Sequence, residues 1–393
     1  EFTSGGISIE ANKEFNEDAL NRIIKSIIKL TVKTLDSKNL ISDLLNVQYY
    51  GSNLINTLTK TIYESLKNMN GSTIISYESW LDNFGLSHED ASKQQAIEAR
   101  RADLAKIVDK QDIKQDEEYK ILFALQTSTA IIAMLIAYKA VSIVKGKKNE
   151  YSLKRIHDIG VRNSRIELYY IASGAISQQT KIHNLLEIGC FSWVFQEEQW
   201  SEEIYLAINN IIEVLLKYEN MPEITEHTDD IFRELYMAIM PTSVRHSMGE
   251  YYTPKWLARN VITDGLRYVP VNRKDHVRIL DTAAGSGTFP QQVILMKREV
   301  YKDEPKDSAL DYILKEVVSI DANILAVILA RINYFMAISD LIDSQKALYI
   351  PAFIGDSTVP TSDKISEDGE YFVSHLQGSN GKEIEFRVPI NSV

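Results

Sequence analysis

The residues best placed to do chemistry lie between Val277 and Phe289, Val-Arg-Ile-Leu-Asp-Thr-Ala-Ala-Gly-Ser-Gly-Thr-Phe. An aliphatic run ends in Asp281, a turn of small residues follows with Gly285 and Gly287, and a helical pattern begins near Thr288. Strand, tight loop and helix in that order hold nucleotide-like ligands at the carboxyl end of a strand in open α/β sheets. Glycines in such a loop let backbone approach ligand where a Cβ would push it away, and Ala283 leaves room beside them. The loop lacks the Gly-Lys-Ser/Thr of a phosphate-binding P-loop, and Pro290 stands where a dinucleotide fingerprint carries its third glycine.

A carboxylate entering the loop repels a diphosphate and suits a ligand with a cationic or hydrogen-bond-donating portion. S-adenosylmethionine has both, in its ammonium group and its ribose hydroxyls. A plain strand-to-helix turn is the bland alternative for this motif alone. Two further runs end in acids: Val317-Val318-Ser319-Ile320-Asp321, whose acid lies 40 positions after Asp281, and Ile354-Gly355-Asp356. An acid at the end of a second strand accepts hydrogen bonds from vicinal ribose hydroxyls in dinucleotide folds, although Asp321 also stands where a helix N-cap belongs. Upstream, Gly249-Glu250-Tyr251-Tyr252-Thr253-Pro254 opens a helix. Thr253 sits at the expected N-cap and Pro254 at the first helical position, and such a helix start attracts a ligand carboxylate.

Together these motifs resemble the N6-adenine DNA methyltransferases, in particular the modification subunits of type I restriction systems and fused type II enzymes. The resemblance covers roughly Asp230 to Ser357, with Thr282 in place of the family's usual proline. It implies that Tyr252 and Thr253 hold the methionine end of S-adenosylmethionine, Asp281 its ammonium group, Asp321 its ribose and Asp356 its adenine, with Ala283, Gly285 and Gly287 shaping the loop. It implies DNA as the macromolecular partner, restriction or specificity modules as companions, and a cytoplasmic setting.

The family holds its target base with Asn/Asp-Pro-Pro-Tyr/Phe, where oxygen acceptors face the exocyclic amine and an aromatic ring stacks on the flipped base. None of the nine prolines here is adjacent to another, so that motif is absent and no catalytic residue is assigned. The expectation is a truncated piece of a larger enzyme, with DNA bound through the missing C-terminal part. It would carry an incomplete, mostly parallel Rossmann-like α/β sheet (226–393) behind an all-α domain (1–225). A non-catalytic module binding S-adenosylmethionine or a nucleoside is the alternative, and a methyltransferase acting on RNA, protein or a small molecule is a third.

Composition sets the frame. A chain of 393 residues with 45% hydrophobic and 25% charged residues supports about two globular domains. The net charge of −11 argues against a nucleic-acid clamp, since duplex binding rests on Lys and Arg neutralising phosphate. The single cysteine, Cys190, forms no internal disulfide and points to a reducing compartment, and its apolar surroundings read as packing. Seven scattered histidines suggest no metal site. Residues 1–6 read as a vector remnant or an internal cut, because no apolar core follows them as it would in a signal peptide.

The elements that position the motifs follow from periodicity. Helices are expected over Asp18–Val32, over Asn39–Met69 in two pieces with Asn70-Gly71 as the stop, and over Glu89–Lys110 with Ile97, Leu104 and Ile107 facing in. Ser76–Gly85 reads as turn-rich. Ile121–Val144 is long and apolar enough to span a bilayer, but Gln126, Thr127, Ser128, Thr129 and Lys139 favour a buried central helix. Helices are also expected over Leu153–Asp158, Ser164–Ser173, Gln179–Ile188 and Glu202–Tyr218, before a linker at Met221-Pro222-Glu223. Glu118-Tyr119-Lys120 spells the metal-binding letters of a nuclease but stands in a helical pattern. The stretch Phe191–Trp200 reads as core rather than a base-stacking platform, and Glu370–Val373 with Glu383–Val388 as a hairpin around an Asn-Gly turn.

Overall fold

The computed structural model describes residues 33–45, 53–87, 94–146, 152–222, 230–247, 250–273, 276–342, 346–355 and 357, with short strands at 2–3, 6–7, 364–365, 371–377 and 383–389. The expected helix over Asp18–Val32, the end of the linker at Glu223 and the residue Asp356 lie outside the described residues.

Before the sheet the chain is helical, with α1 (Ser37–Leu45), α2 (Leu54–Ser65), α3 (Gly71–Ser87), α4 (Gln94–Ile107), α5 (Gln115–Val144), α6 (Leu153–Asp158), α7 (Val161–Ala172) and α8 (Glu202–Leu215). The 30-residue α5 is the spine of this part. Its first turn carries Asp116, Glu117 and Glu118, which suits the positive end of the helix dipole. Beyond that turn it is apolar on every side, and a helix without a polar face has to be surrounded. Its apolar window is buried inside the protein throughout. Two of its hydroxyls are satisfied locally: Ser128 Oγ donates to Ala124 O and Thr129 Oγ1 to Leu125 O, each at 2.8 Å. Two indoles reach their neighbours, Trp80 Nε1 donating to Gln126 Oε1 at 2.8 Å and Trp193 Nε1 to Thr127 Oγ1 at 3.3 Å. Trp193 is buried and stacks on Phe123, so the aromatic stretch after Phe191 is core.

Two sequence expectations change here. The helix before Asn70-Gly71 ends there as expected, but Asn70 also starts the next: its Oδ1 accepts from Thr73 N at 2.9 Å, and α3 runs through the segment read as turn-rich. Thr73, Trp80 and Phe84 lie on its buried side, with Tyr77 packed against the core, and Trp80 meets Phe84 and Phe123 at ring distances of 4.9 and 5.2 Å. That packed stripe outweighs the turn propensity of the Ser, Asn, Asp and Gly residues between. The helix expected over Gln179–Ile188 is a single turn, Ser177–Thr180. Lys181 and Asn184 then adopt left-handed φ values of 56° and 52°, and Ile182–His183 pairs in parallel with Leu348–Tyr349. Asn184 holds this distant partner by accepting from Ile350 N at 3.0 Å and donating to Ile350 O at 2.8 Å.

The second part opens with α9 (Ile231–Ile239), α10 (Thr242–Ser247) and α11 (Lys255–Arg267). Three parallel strands follow, β1 (Ile279–Asp281), β2 (Val317–Asp321) and β3 (Ala352–Ile354), in the order β1-β2-β3. Parallel neighbours require crossovers. Helices α12 (Thr288–Val300) and α13 (Lys306–Glu316) connect β1 to β2, and α14 (Ile324–Ile338) connects β2 to β3. All three strands therefore present their carboxyl ends on one side. The outer edge of β1 has no strand beside it among the described residues. One apolar core runs from α2 through α5 to α14 without interruption, so the helical part and the sheet part pack against each other. Helix α14 is also long and apolar enough to cross a membrane, and 83% of its apolar window is buried against the sheet, α5 and α12.

Candidate active site at the carboxyl ends of the strands

The loop after β1 is shaped by its own backbone and by β2. Ala284 N donates to Ile320 O at 3.1 Å, and Gly287 N to Ala284 O at 2.9 Å. Gly285 and Gly287 sit at φ of 55° and 91°, in the left-handed region where a side chain is strained. They do different work. A Cβ on Gly285 would face the cleft and meet Tyr252 at 3.8 Å, so this glycine keeps the loop open to a ligand. A Cβ on Gly287 would lie 3.1 Å from Ala330 Cα. Gly287 thus permits close packing of the loop on α14, and the expected approach to ligand falls to Gly285 alone.

From below, the loop is held by Asp230, a fully buried carboxylate at the N-cap of α9. It accepts from Arg233 N at 2.8 Å, Thr288 Oγ1 at 2.7 Å, Ser286 Oγ at 3.4 Å and Asn333 Nδ2 at 2.6 Å. Asn333 Nδ2 also donates to Ser286 O at 2.7 Å. Burial pushes the Asp230 carboxyl above the usual aspartate range despite these donors.

Asp321 ends β2 with both oxygens aimed by backbone amides: Oδ2 accepts from Gly285 N and Oδ1 from Asn323 N, each at 2.8 Å. Asn323 caps α14 by accepting from Leu325 N at 2.9 Å, and donates to Glu250 Oε1 at 3.2 Å. Glu250 Oε2 accepts from the Tyr236 hydroxyl at 2.6 Å. Tyr252 packs on Tyr236 with ring centroids 5.2 Å apart, and burial raises both phenols well above their ordinary values. Beyond β3, Ser357 Oγ donates to Thr282 O at 2.8 Å and closes the loop from the other side.

These contacts enclose a cleft of about 330 Å³ lined by Glu250, Tyr252, Thr253, Ala283, Gly285 and Asp321, among others. Five expected residues, Tyr252, Thr253, Ala283, Gly285 and Asp321, therefore share one cavity. Among the described residues no Lys, Arg or His lines it. The helix after Thr253 begins without a side-chain cap, and its N-cap position is Pro254 rather than Thr253. Thr253 lines the cleft without capping the helix.

Asp281 stands at the rim. Its Oδ1 accepts from Ala283 N at 3.2 Å, and its Oδ2 is buried with no partner. Burial raises its carboxyl above the ordinary range, and the nearby Asp321 carboxylate adds to the shift. On its other side Asp281 borders an apolar groove of about 380 Å³ between α11 and β1. Phe289 lines both spaces. A larger cavity, about 890 Å³, lies along the far end of α12 around Arg298 and Lys302 and contains none of the motif residues. Among the described residues no group of three or more His, Cys, Asp and Glu is arranged to hold a metal ion.

Sequence reasoning left Asp230, Glu250 and Asn323 without roles. Asp230 precedes a helix as an N-cap should, and Asp321-Ala322-Asn323 is a doubled Asx signal at a strand-to-helix turn. Their convergence on one loop is visible only in three dimensions.

Outside the cleft, Glu118 is paired with Arg100 and Arg101 inside the helical part. Burial pushes the Cys190 thiol up to about 12, far from a reactive thiolate.

A loop of small residues between a parallel strand and a helix, facing a second acid-ended strand, lies at the strand carboxyl ends, where open α/β sheets hold their ligands. Residues 227–359 match the N-6 DNA Methylase family model. The match takes in Asp230, the cleft and all three strands. No curated protein and no solved structure matches the chain.

Proposed function

We propose that the chain binds S-adenosylmethionine in this cleft, as the cofactor-holding part of an enzyme that methylates adenine N6 in DNA. The observation that carries the reading is the charge of the cleft: Glu250 and Asp321 line it with no cation among the described residues, and beside it Asp281 keeps one buried carboxylate oxygen without a partner. An unpaired buried acceptor of that kind is costly unless a donor arrives, and a ligand ammonium group is such a donor. Asp281 would hold the ammonium. Asp321, already oriented by two amides, has lone pairs left for ribose hydroxyls. The N-terminus of α11, next to Tyr252 and Thr253, suits the methionine carboxylate. S-adenosylmethionine supplies a sulfonium methyl group. Asp356 would approach the adenine.

The sheet fits one half of a larger methyltransferase sheet, with the helical part as a separate domain in front of it. The acceptor motif that would hold a flipped adenine is absent from the sequence. Alone, the chain therefore binds cofactor and does not transfer methyl. With restriction or specificity modules it would serve a restriction–modification or phage-defence system in the cytoplasm. The same absence favours one other reading, a non-catalytic module that binds S-adenosylmethionine or a nucleoside.

Calorimetric titration of S-adenosylmethionine into the full chain is the test. Saturable binding is expected, lost in Asp321→Ala, with no methyl transfer to DNA. An absence of binding at millimolar cofactor would sink the proposal. Methyl transfer to DNA by the chain alone would sink both the inactivity and the non-catalytic alternative.

A further inference from the structure

We propose that Asn83, which lies in the helical part well outside the family-matched segment, is a positioning residue for Asp321. The proposal rests on the cofactor reading above. Asn83 sits on α3 one turn beyond Trp80, whose indole is locked onto Gln126 and Phe123 of α5. Its side-chain amide grips the turn that follows β2. Asn83 Nδ2 donates to Ala322 O at 2.8 Å, and Asn83 Oδ1 accepts from Ile324 N at 3.4 Å.

The two backbone groups that Asn83 holds flank Asn323. Ile324 N is a first-turn amide of α14, one of those that no intrahelical carbonyl can satisfy. Asn323 N in turn donates to Asp321 Oδ1, while the Asn323 side chain donates to Glu250. One amide from a distant helix therefore sets the three-residue turn that aims the Asp321 carboxylate into the cleft. It does so without lining the cleft itself.

A second tie acts on the opposite wall. Ser243 Oγ donates to Asp103 at 2.6 Å and Arg100 Nη1 donates to Ser247 Oγ at 3.2 Å, fastening α10 to α4 just ahead of Glu250. Both walls of the cleft are thus braced by the helical part. That part acts as a frame for the cofactor site, and Asn83 is its most direct contact with a ligand-facing acid.

The test is a double-mutant cycle on the full chain, read by calorimetric titration of S-adenosylmethionine. The four proteins are wild type, Asn83→Ala, Asp321→Asn and the double variant. Removing one neutral hydrogen-bonding pair is expected to weaken binding about tenfold when Asp321 is present. If Asn83 works through Asp321, the same change in the Asp321→Asn background should weaken it less than about twofold, because effects within one network do not add. Asn83→Asp is the companion variant: it keeps the acceptor for Ile324 N but sets a carboxylate oxygen against Ala322 O, and the same weakening is expected. It decides the question should Asn83→Ala fail to fold by thermal melting. Additive losses across the cycle, or wild-type affinity in both Asn83 variants, would overturn the proposal. Failure of the wild-type chain to bind would instead bring down the cofactor reading itself.

Discussion

Asp281 is a carboxylate with one buried oxygen unpartnered, next to the cleft and near a second carboxylate, Asp321. The physical consequence is a pH dependence with two opposite signs. In the free protein its pKa is raised by burial and then by Asp321. A raised carboxyl pKa means that ionisation opposes folding. The stabilisation is present below the unfolded value and is lost as pH rises through the folded value. A bound ammonium reverses this, because it attracts only the ionised form. Cofactor affinity should therefore fall as pH is lowered toward the raised pKa, at a pH above the ordinary aspartate value of about 3.9. Titrations between pH 8 and pH 4.5 check this, and Asp281→Asn should weaken binding at high pH and flatten the profile. An unchanged profile in that variant would remove Asp281 from the ammonium site.

At the scale of the element, the loop between β1 and α12 depends on two glycines that fail differently when replaced. Gly287 has φ of 91° and its missing Cβ would sit 3.1 Å from backbone of α14. Gly287→Ala combines strain with a steric push between two core elements, and should destabilise the chain by about 2–3 kcal/mol. Gly285→Ala carries only the left-handed strain, since its nearest neighbour is a ring atom 3.8 Å away. It should cost about 1 kcal/mol of stability while narrowing the cleft and weakening cofactor binding. Urea unfolding of the two variants, with calorimetry on the second, separates the roles. Equal stability losses would contradict the assignment of Gly287 to packing and Gly285 to the cleft.

For the molecule as a whole, the helical part and the sheet part share a continuous apolar core and are tied by polar contacts at both walls of the cleft. Near the centre of the tie lies a buried ion cluster. Glu118, 1% exposed, accepts from Arg100, 2% exposed, and from Arg101 at 2.7 Å. Such a cluster adds little net stability over an apolar replacement, but removing one partner strands a buried charge. Glu118→Ala should cost about 3–5 kcal/mol and loosen α4 from α5. Because α4 also fastens α10, the loss should appear in one cooperative thermal transition that includes the cofactor site. Two separated transitions in wild type, with only the first shifted in the variant, would show that the two parts fold independently.

The sequence by itself marked the residues that meet at the cleft and the elements with a strong period. Tyr252, Thr253, Gly285 and Asp321 could be placed there because each stands at or beside a strand or helix end, where residue type and backbone geometry are tied together. The spine α5 was legible from its unbroken apolar run. Tertiary structure alone decided what depends on groups far apart in the chain. Asn70 begins α3 because Trp80 finds both Phe84 and Phe123, and the segment after Thr180 leaves the helix because Asn184 pairs with Ile350. Gly287 turned from the ligand to α14 because a helix more than 30 residues later closes against it. The roles of Asp230, Asn323 and Asn83 arise where hydrogen-bonding groups from separate elements converge on one loop. Short-range propensity carries no information about such convergence, since it reports what a residue prefers locally and not which distant partner satisfies it.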